Sequence, residues 1–140
     1  MTILCIETST SVCSATICQG DTLIKQCINY EGSNHARLLP LYIDELLKLA
    51  REQHLTIDAV ALSEGPGSYT GLRIGTATAK GLCYGLNIPL IPVPRDARTA
   101  ATHNQNFLLF SFSIFLSSDF LFRVPNDRRY NGLRTRQTIN

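Results

Sequence analysis

The 140-residue sequence lacks several features that would assign it to a class at once. No positively charged leader precedes an apolar run, since the first basic residue is Lys25, so no secretory signal is predicted. The most apolar stretch, Phe107–Phe122, is shorter than the roughly 20 residues of a membrane-spanning helix and contains Asp119. We therefore expect a cytoplasmic protein that does not cross a membrane.

Motifs of metal centres are missing as well. The five cysteines are odd in number and contain no CxxC pair, and the three histidines form neither HExxH nor HxxxH. These patterns predict reduced, buried thiols and no metal site formed by this chain alone.

The net charge of +2 is too small to indicate nucleic-acid binding by itself, but its distribution is uneven. Residues 1–94 carry three Lys, three Arg and eight acidic residues, which gives −2. Residues 95–140 carry seven Arg and three Asp, which gives +4, and they contain all six Phe. The change in composition separates residues 1–94 from residues 95–140, and the two parts are considered separately.

Five strands and two helices are predicted for the first 94 residues. The expected helices run from about His35 to Glu52, with an N-cap at Ser33 or Asn34, and from the Gly65–Gly71 loop to about Leu86. The expected strands are Ile3–Thr8, Val12–Gln19, Thr22–Asn29, Ala59–Ser63 and Pro89–Val93. Short links make the first three strands antiparallel, and right-handed crossovers add the last two in parallel, so we expect a mixed α/β sheet of order 3-2-1-4-5.

Both helices have unusual surfaces. Apolar residues cover about half of the first helical wheel, which fits either a helix wedged within its own domain or one shared with a partner chain. The second helix contains Gly71, Gly75, Gly81 and Gly85. Each interior glycine costs about 1 kcal/mol relative to alanine. Tight packing against the helix backbone, or a ligand close to it, would explain that cost.

The loop between the fourth strand and the second helix has geometry suited to an anion. Glycines leave backbone N–H groups open, and the helix N-terminus adds a positive dipole end. The candidate anion or nucleotide site consists of Glu7, Gly65, Gly67, Ser68 and Gly71. The loop is neither a P-loop nor GxGxxG nor GxSxG, and structural glycines with an N–H-bonded Glu7 form the alternative interpretation.

Four segments resemble the TsaB (YeaZ) family, and the resemblance covers about residues 1–94. They are Ile3–Thr10, Ser33–Pro40, Glu64–Gly75 and Ala79–Leu82, of which the run from Gly65 to Gly75 is the most specific. The resemblance implies an actin-like (ASKHA, ribonuclease-H-like) subdomain from a family once labelled peptidase M22. It differs from the family at Glu7, where the family has Asp, and after Pro94, where the second subdomain is missing. The resemblance therefore implies an N-terminal subdomain over residues 1–94, followed by a divergent tail over residues 95–140 that is non-native or disordered.

The resemblance implies a non-catalytic subunit in making threonylcarbamoyladenosine next to the tRNA anticodon. Its implied partners are a TsaD-like catalytic paralogue, a TsaE-like ATPase and a second copy of itself, with tRNA contacted indirectly. No cofactor of its own is expected, although ATP or ADP can be present in the complex. The implied partner interface follows the two helices and comprises His35, Leu38, Leu39, Tyr42, Leu46, Gly71, Arg73, Gly75, Thr78, Gly81 and Leu82.

Two other hypotheses remain open from the sequence. One is a small ASKHA-type ATP-binding enzyme or phosphotransferase that uses Glu7 and the Gly65–Gly71 loop. The other is a truncated product without function, because an exposed half-core would aggregate.

For the tail, a lineage-specific arm whose arginines touch tRNA phosphates is the functional alternative. If the tail is not native, deleting residues 95–140 should leave the fold of residues 1–94 no worse.

Overall fold

The computed structural model describes residues 1–32 and 34–94 of the chain. Its elements are β1 (Thr2–Glu7), β2 (Cys13–Gln19), β3 (Thr22–Asn29), α1 (His35–Glu52), β4 (Ala59–Ser63), α2 (Tyr69–Leu86) and β5 (Leu90–Val93). The five strands form one sheet in the order β3-β2-β1-β4-β5, which confirms the predicted topology. The tail over residues 95–140 and the proposed cap residue Ser33 lie outside the described residues.

The sheet is mixed, as the connections require. The β1–β2 and β2–β3 pairs are antiparallel, and the β1–β4 and β4–β5 pairs are parallel. A tight turn with Gly20 at φ +57° joins β2 to β3. Glycine adopts this left-handed conformation without the steric cost that a Cβ would add.

Both helices pack on one face of the sheet. The main core joins alternate strand residues such as Leu4, Ile17 and Val60 to Leu39 and Leu46 of α1. The opposite face of the sheet carries a separate cluster of Ile3, Cys5, Ala59, Ala61 and Ile91, which includes no residue of either helix. Neither described helix is long and apolar enough to span a membrane.

The two helices are capped differently at their ends. The Asn34 carbonyl oxygen accepts hydrogen bonds from the Arg37 and Leu38 amides, but the Asn34 side chain makes no capping bond. At α2 the Ser68 hydroxyl caps the helix by accepting from the Gly71 amide at 3.3 Å. The last residue of α2 is Leu86, and Asn87, which follows it, lies in the left-handed region at φ 54°.

The cysteines are free thiols, as predicted. Cys5, Cys13, Cys18 and Cys27 are buried, and Cys83 is half-buried. A buried free cysteine packs as a small, largely apolar side chain.

Candidate functional site: the glycine-rich turn and the outer helix surface

The turn that follows β1 lies beneath the start of α2. Thr8 and Ser9 are buried, at 0% and 1% exposure. Glu7, also buried, accepts a hydrogen bond from the Ser9 amide through Oε1 at 2.6 Å. The Glu7 carboxylate therefore stabilises its own turn, as the structural interpretation of the sequence expected.

The loop between β4 and α2 rests directly on this turn. The Ser68 amide donates to the Ser9 carbonyl oxygen at 2.7 Å. Gly65 precedes a cis peptide bond to Pro66 and has φ +99°, a conformation that side chains rarely adopt. Backbone conformation and one hydrogen bond thus fix the direction in which α2 starts.

Three glycines allow this close contact. A Cβ on Gly67 would overlap the Ser9 carbonyl oxygen, and a Cβ on Gly71 would overlap the Thr8 carbonyl oxygen. A Cβ on Gly75 would overlap Thr8 Oγ1 and would lie 3.1 Å from a methyl group of Leu62. We name Thr8, Ser9 and these three glycines the glycine contact. Its glycines are explained by packing within this chain.

The structure brings the five predicted anion-site residues to the same end of the sheet. Two of the amides that could face an anion already have acceptors, since Ser68 donates to Ser9 and Gly71 donates to the Ser68 hydroxyl. Carbonyl oxygens of Thr8 and Ser9 also face the glycines, and their partial negative charge opposes an anion. Anion binding stays a prediction, and the geometry gives it little support.

Sequence reasoning missed Thr8 and Ser9 as partners of the glycines. The hydroxyl-rich stretch Thr8–Ser11 indicated a turn, but nothing in the sequence connected it with a helix some 60 residues later. The glycine spacing shows that something approaches α2 closely, whereas the identity of the approaching group depends on the tertiary fold.

The partner-interface assignment of His35 is corrected by its burial and hydrogen bonding. His35 is 8% exposed, and its Nε2 lies 2.9 Å from the Thr10 carbonyl oxygen and 3.3 Å from that of Val12. Both partners can only accept, so Nε2 carries the proton and donates. His35 therefore ties the start of α1 to the β1–β2 turn.

Four further interface assignments are corrected for the same reason. Leu39 and Leu46 have no exposed surface and belong to the core between α1 and the sheet. Gly71 and Gly75 are buried against Thr8. A residue enclosed by its own chain offers no surface to a partner, so these residues support the fold.

The other predicted interface residues remain at the surface. Arg73 and Gly81 are exposed, whereas four are half-buried: Leu38, Tyr42, Thr78 and Leu82. Three further large side chains on the two helices are exposed, namely Leu41 at 59%, Tyr69 at 74% and Tyr84 at 92%. We name these nine residues, together with the exposed Gly85, the outer helix surface.

The outer helix surface combines large rings with open glycines. The Arg73 guanidinium lies over the Tyr69 ring, 5.5 Å from its centroid. A Cβ at Gly81 or Gly85 would meet nothing within 4 Å. A concavity of about 580 Å³ adjoins Tyr84 and is lined by Lys80, Cys83, Tyr84, Asn87, Ile88, Pro89 and Leu90. The surface thus offers aromatic contacts and room for close approach.

Cys13, the first residue of β2, is an ionisable group with a strongly shifted pKa. Burial, and to a smaller extent the negative charge of the Glu7 carboxylate, together raise the pKa of the Cys13 thiol to about 11. Among residues 1–32 and 34–94, no group of three or more His, Cys, Asp and Glu could hold a metal ion.

The fold has clear relatives among solved structures. YeaZ from Pseudomonas aeruginosa superposes with a TM-score of 0.57 at 32% identity, covering 71% of this chain and 46% of that one. A second structure, described as similar to peptidase YeaZ from the same organism, gives a TM-score of 0.60 at 27% identity. The strand order and these neighbours define an actin-like (ASKHA) α/β protein.

Sequence comparisons narrow the class further. The family model described as "TsaD: tRNA N6-adenosine threonylcarbamoyltransferase" matches residues 29–107, which reaches beyond Pro94. The tRNA threonylcarbamoyladenosine biosynthesis protein TsaB is 38% identical over 96 residues in Haemophilus influenzae and 35% identical over 108 residues in Bacillus subtilis. These matches cover 66% and 76% of this chain. The chain belongs to the TsaB (YeaZ) family.

The chain spans less than half the length of these relatives. It covers 39% of the Haemophilus protein and 46% of the Bacillus protein. The predicted family resemblance over the first 94 residues is confirmed.

Proposed function

We propose that this chain is a non-catalytic partner subunit in the biosynthesis of tRNA threonylcarbamoyladenosine and that it supports a TsaD-like catalytic subunit. The names of its TsaB relatives support the pathway. Proteins named tRNA N6-adenosine threonylcarbamoyltransferase also match it, at 34% identity over 88 residues in Geotalea daltonii. This similarity between the chain and the transferases is consistent with pairing between the chain and a TsaD-like catalytic subunit.

The observation that carries the proposal is the open half of α2. Gly81 and Gly85 have free space where a side chain would stand, and Tyr84 beside them is 92% exposed. A solvent-exposed helix gains nothing from two interior glycines, which cost about 1 kcal/mol each. Close approach of a second polypeptide would recover that cost, and exposed Tyr and Arg side chains are favourable anchors in such contacts.

The remaining partners are proposed on the family resemblance. They are a TsaE-like ATPase, a second copy of this chain and tRNA contacted through the complex. ATP or ADP would then belong to the complex, and cytoplasm is the expected compartment. The outer helix surface can contact one protein at a time, so a homodimer and a TsaD-like complex would compete for it.

The enzyme alternative has less support in the geometry. Glu7 Oε1 holds the Ser9 amide, and the Ser68 and Gly71 amides have acceptors within the chain. A phosphate at this loop would have to displace these bonds.

The proposal is tested by binding of the full chain to a purified TsaD-like protein. Gly81→Leu should weaken binding about tenfold or more, because the new side chain fills the space a partner backbone would need. The matched control is Asp21→Leu, which adds the same side chain at the exposed β2–β3 turn. Gly75→Leu is unsuitable, since it would overlap Thr8 and disturb the fold itself.

Two results would contradict the proposal. One is equal binding by Gly81→Leu, Asp21→Leu and the unchanged chain. The other is ATP turnover by the chain alone that disappears in Glu7→Gln while the folded structure persists, which would favour the enzyme alternative. Isothermal titration calorimetry and a phosphate-release assay make the two measurements.

A further inference from the structure

Two cysteines lie close together on neighbouring strands although they are distant in the sequence. Cys5 of β1 lies directly opposite Thr16 of β2. Two positions along each strand, Cys18 lies opposite Ile3. Because side chains alternate along a strand, these four residues point to the same side of the sheet. Cys5 and Cys18 are therefore diagonal neighbours, and we name them the thiol pair.

The contacts of the Cys5 side chain bring the two sulfurs towards each other. Its Sγ lies 4.0 Å from the carbonyl oxygen of Ile3, which is the residue opposite Cys18. The sulfur therefore points back along β1 in the direction of Cys18 and away from Thr16. The Cys5 thiol also donates a hydrogen bond to the Cys18 sulfur. Two soft ligand atoms thus face each other across one pair of strands.

A second pair of cysteines shows that this proximity is not general in the sheet. Cys13 and Cys27 are diagonal neighbours on the β2–β3 pair, but they occupy the other diagonal. Cys18 lies two residues after the position opposite Cys5, whereas Cys13 lies two residues before the position opposite Cys27. Strand twist brings one diagonal together and separates the other. The Cys27 thiol donates its hydrogen bond to the Glu45 carboxylate instead.

The spacing of diagonal neighbours decides what can join the thiol pair. Diagonal neighbours have Cα atoms about 7–8 Å apart and Cβ atoms somewhat closer. A disulfide needs Cα atoms within about 7 Å and Cβ atoms about 3.5–4.5 Å apart, so a direct bond would strain both strands. A metal ion between the sulfurs replaces one bond of about 2 Å by two bonds of about 2.3 Å each. The spacing therefore suits a bridging ion better than a disulfide.

The number of ligands selects the class of ion. Within residues 1–32 and 34–94, no group of three or more His, Cys, Asp and Glu could hold a metal ion. A structural zinc site has four such ligands, so the thiol pair is too small for one. Soft thiolates favour Cu⁺, and soft monovalent ions accept two sulfur ligands in a linear arrangement. Two cysteines from neighbouring strands are sufficient for an ion of this class.

We propose that Cys5 and Cys18 together bind one soft monovalent metal ion, with Cu⁺ as the representative of that class. Each thiol releases its proton to solvent and forms one bond to the ion, whose oxidation state does not change. The site differs from the sequence expectation of no metal centre, because that expectation relied on motifs within single segments and the thiol pair spans two strands. The proposal is independent of the function proposed above.

Titration of the reduced full chain with Cu⁺, in competition with a chromogenic Cu⁺ chelator, tests the site. One ion should bind per chain. Cys5→Ser and Cys18→Ser should each weaken binding about a hundredfold or more, because loss of outer contacts alone costs a metal site roughly 10- to 100-fold. Cys13→Ser and Cys27→Ser are the matched controls on the other diagonal and should leave the affinity unchanged. Circular dichroism checks that each variant is folded.

X-ray absorption of the unmodified chain loaded with Cu⁺ gives a readout that does not depend on the folding of any variant. The copper should have two sulfur neighbours. Zn²⁺ should bind at least about a hundredfold more weakly than Cu⁺, since two ligands are half of its usual set. Failure to bind Cu⁺, three or more sulfur neighbours, equal retention of Zn²⁺, or equal weakening by the control variants would each overturn the proposal.

Discussion

The two halves of α2 repeat one glycine spacing in different surroundings. Gly71 and Gly75 are four residues apart and lie against Thr8, while Gly81 and Gly85 are also four residues apart and face open space. The first pair allows the helix to approach the end of β1, so it supports the fold. The second pair supports nothing within the described chain, which leaves it available for another molecule. The same residue spacing thus has two causes that only the contacts distinguish.

The largest effect is expected at the buried pair. Gly71→Ala should lower the free energy of unfolding by roughly 3 kcal/mol or more, because the added Cβ overlaps a backbone carbonyl oxygen that cannot rotate away. Urea denaturation followed by circular dichroism measures the change. A loss below about 0.5 kcal/mol would show that α2 can shift away from Thr8 and would remove the distinction between the halves.

A smaller loss of stability is expected at Gly75, where an added Cβ would meet side-chain atoms and not a backbone carbonyl. Gly75→Ala should cost about 2 kcal/mol, since its Cβ overlaps Thr8 Oγ1 and approaches Leu62. Thr8→Ala removes a buried hydroxyl that has no partner among the described residues, so alone it should cost little for that group.

The double variant shows whether overlap with Thr8 causes the loss of stability in Gly75→Ala. Gly75→Ala combined with Thr8→Ala should be more stable than additivity predicts by about 1–2 kcal/mol. The same denaturation experiment supplies all four stabilities of the cycle. Strict additivity would mean that Leu62, and not Thr8, limits the space at Gly75.

Much of this fold follows from the sequence alone. Strand and helix order came from apolar periodicity and short links, and the structure confirms both the five strands and their order. His35 and Leu39 were misassigned because an apolar arc over half of α1 does not show which part faces the sheet. The glycine contact was missed because it joins Thr8 to residues some 60 positions later, and local patterns contain no information on that pairing.

Alkaline titration should distinguish Cys13, in the core on β2, from Cys83, on the open half of α2. Burial and the Glu7 carboxylate raise the Cys13 pKa from its ordinary 9.0 to about 11. A raised pKa in the folded state stabilises the protein fully below pH 9, and that contribution is lost as the pH rises through 11. The unfolding free energy should therefore fall by about 1–2 kcal/mol over this interval.

Two cysteine variants test whether the alkaline loss of stability comes from Cys13 or from Cys83. Cys13→Ala, in the core on β2, should flatten the pH dependence more than Cys83→Ala on the open half of α2. Burial raises the Cys83 pKa, but a hydrogen bond with the Val60 backbone lowers it, so its net effect is weaker. Equal slopes for the two variants would contradict the difference between the regions. Urea denaturation at several pH values between 8 and about 11 supplies the comparison.

The smallest expected change in the free energy of unfolding is at Gly81, and it should be an increase. Gly81→Ala should raise the free energy of unfolding of the isolated chain by about 0.5–1 kcal/mol, because alanine is the better helix former and its Cβ meets nothing within 4 Å. Thermal or urea denaturation of the chain without any partner measures the gain, with Gly71→Ala as the matched change in the buried half. A loss of stability would mean that Gly81 already contacts part of this chain, and the open half would then no longer be a free surface.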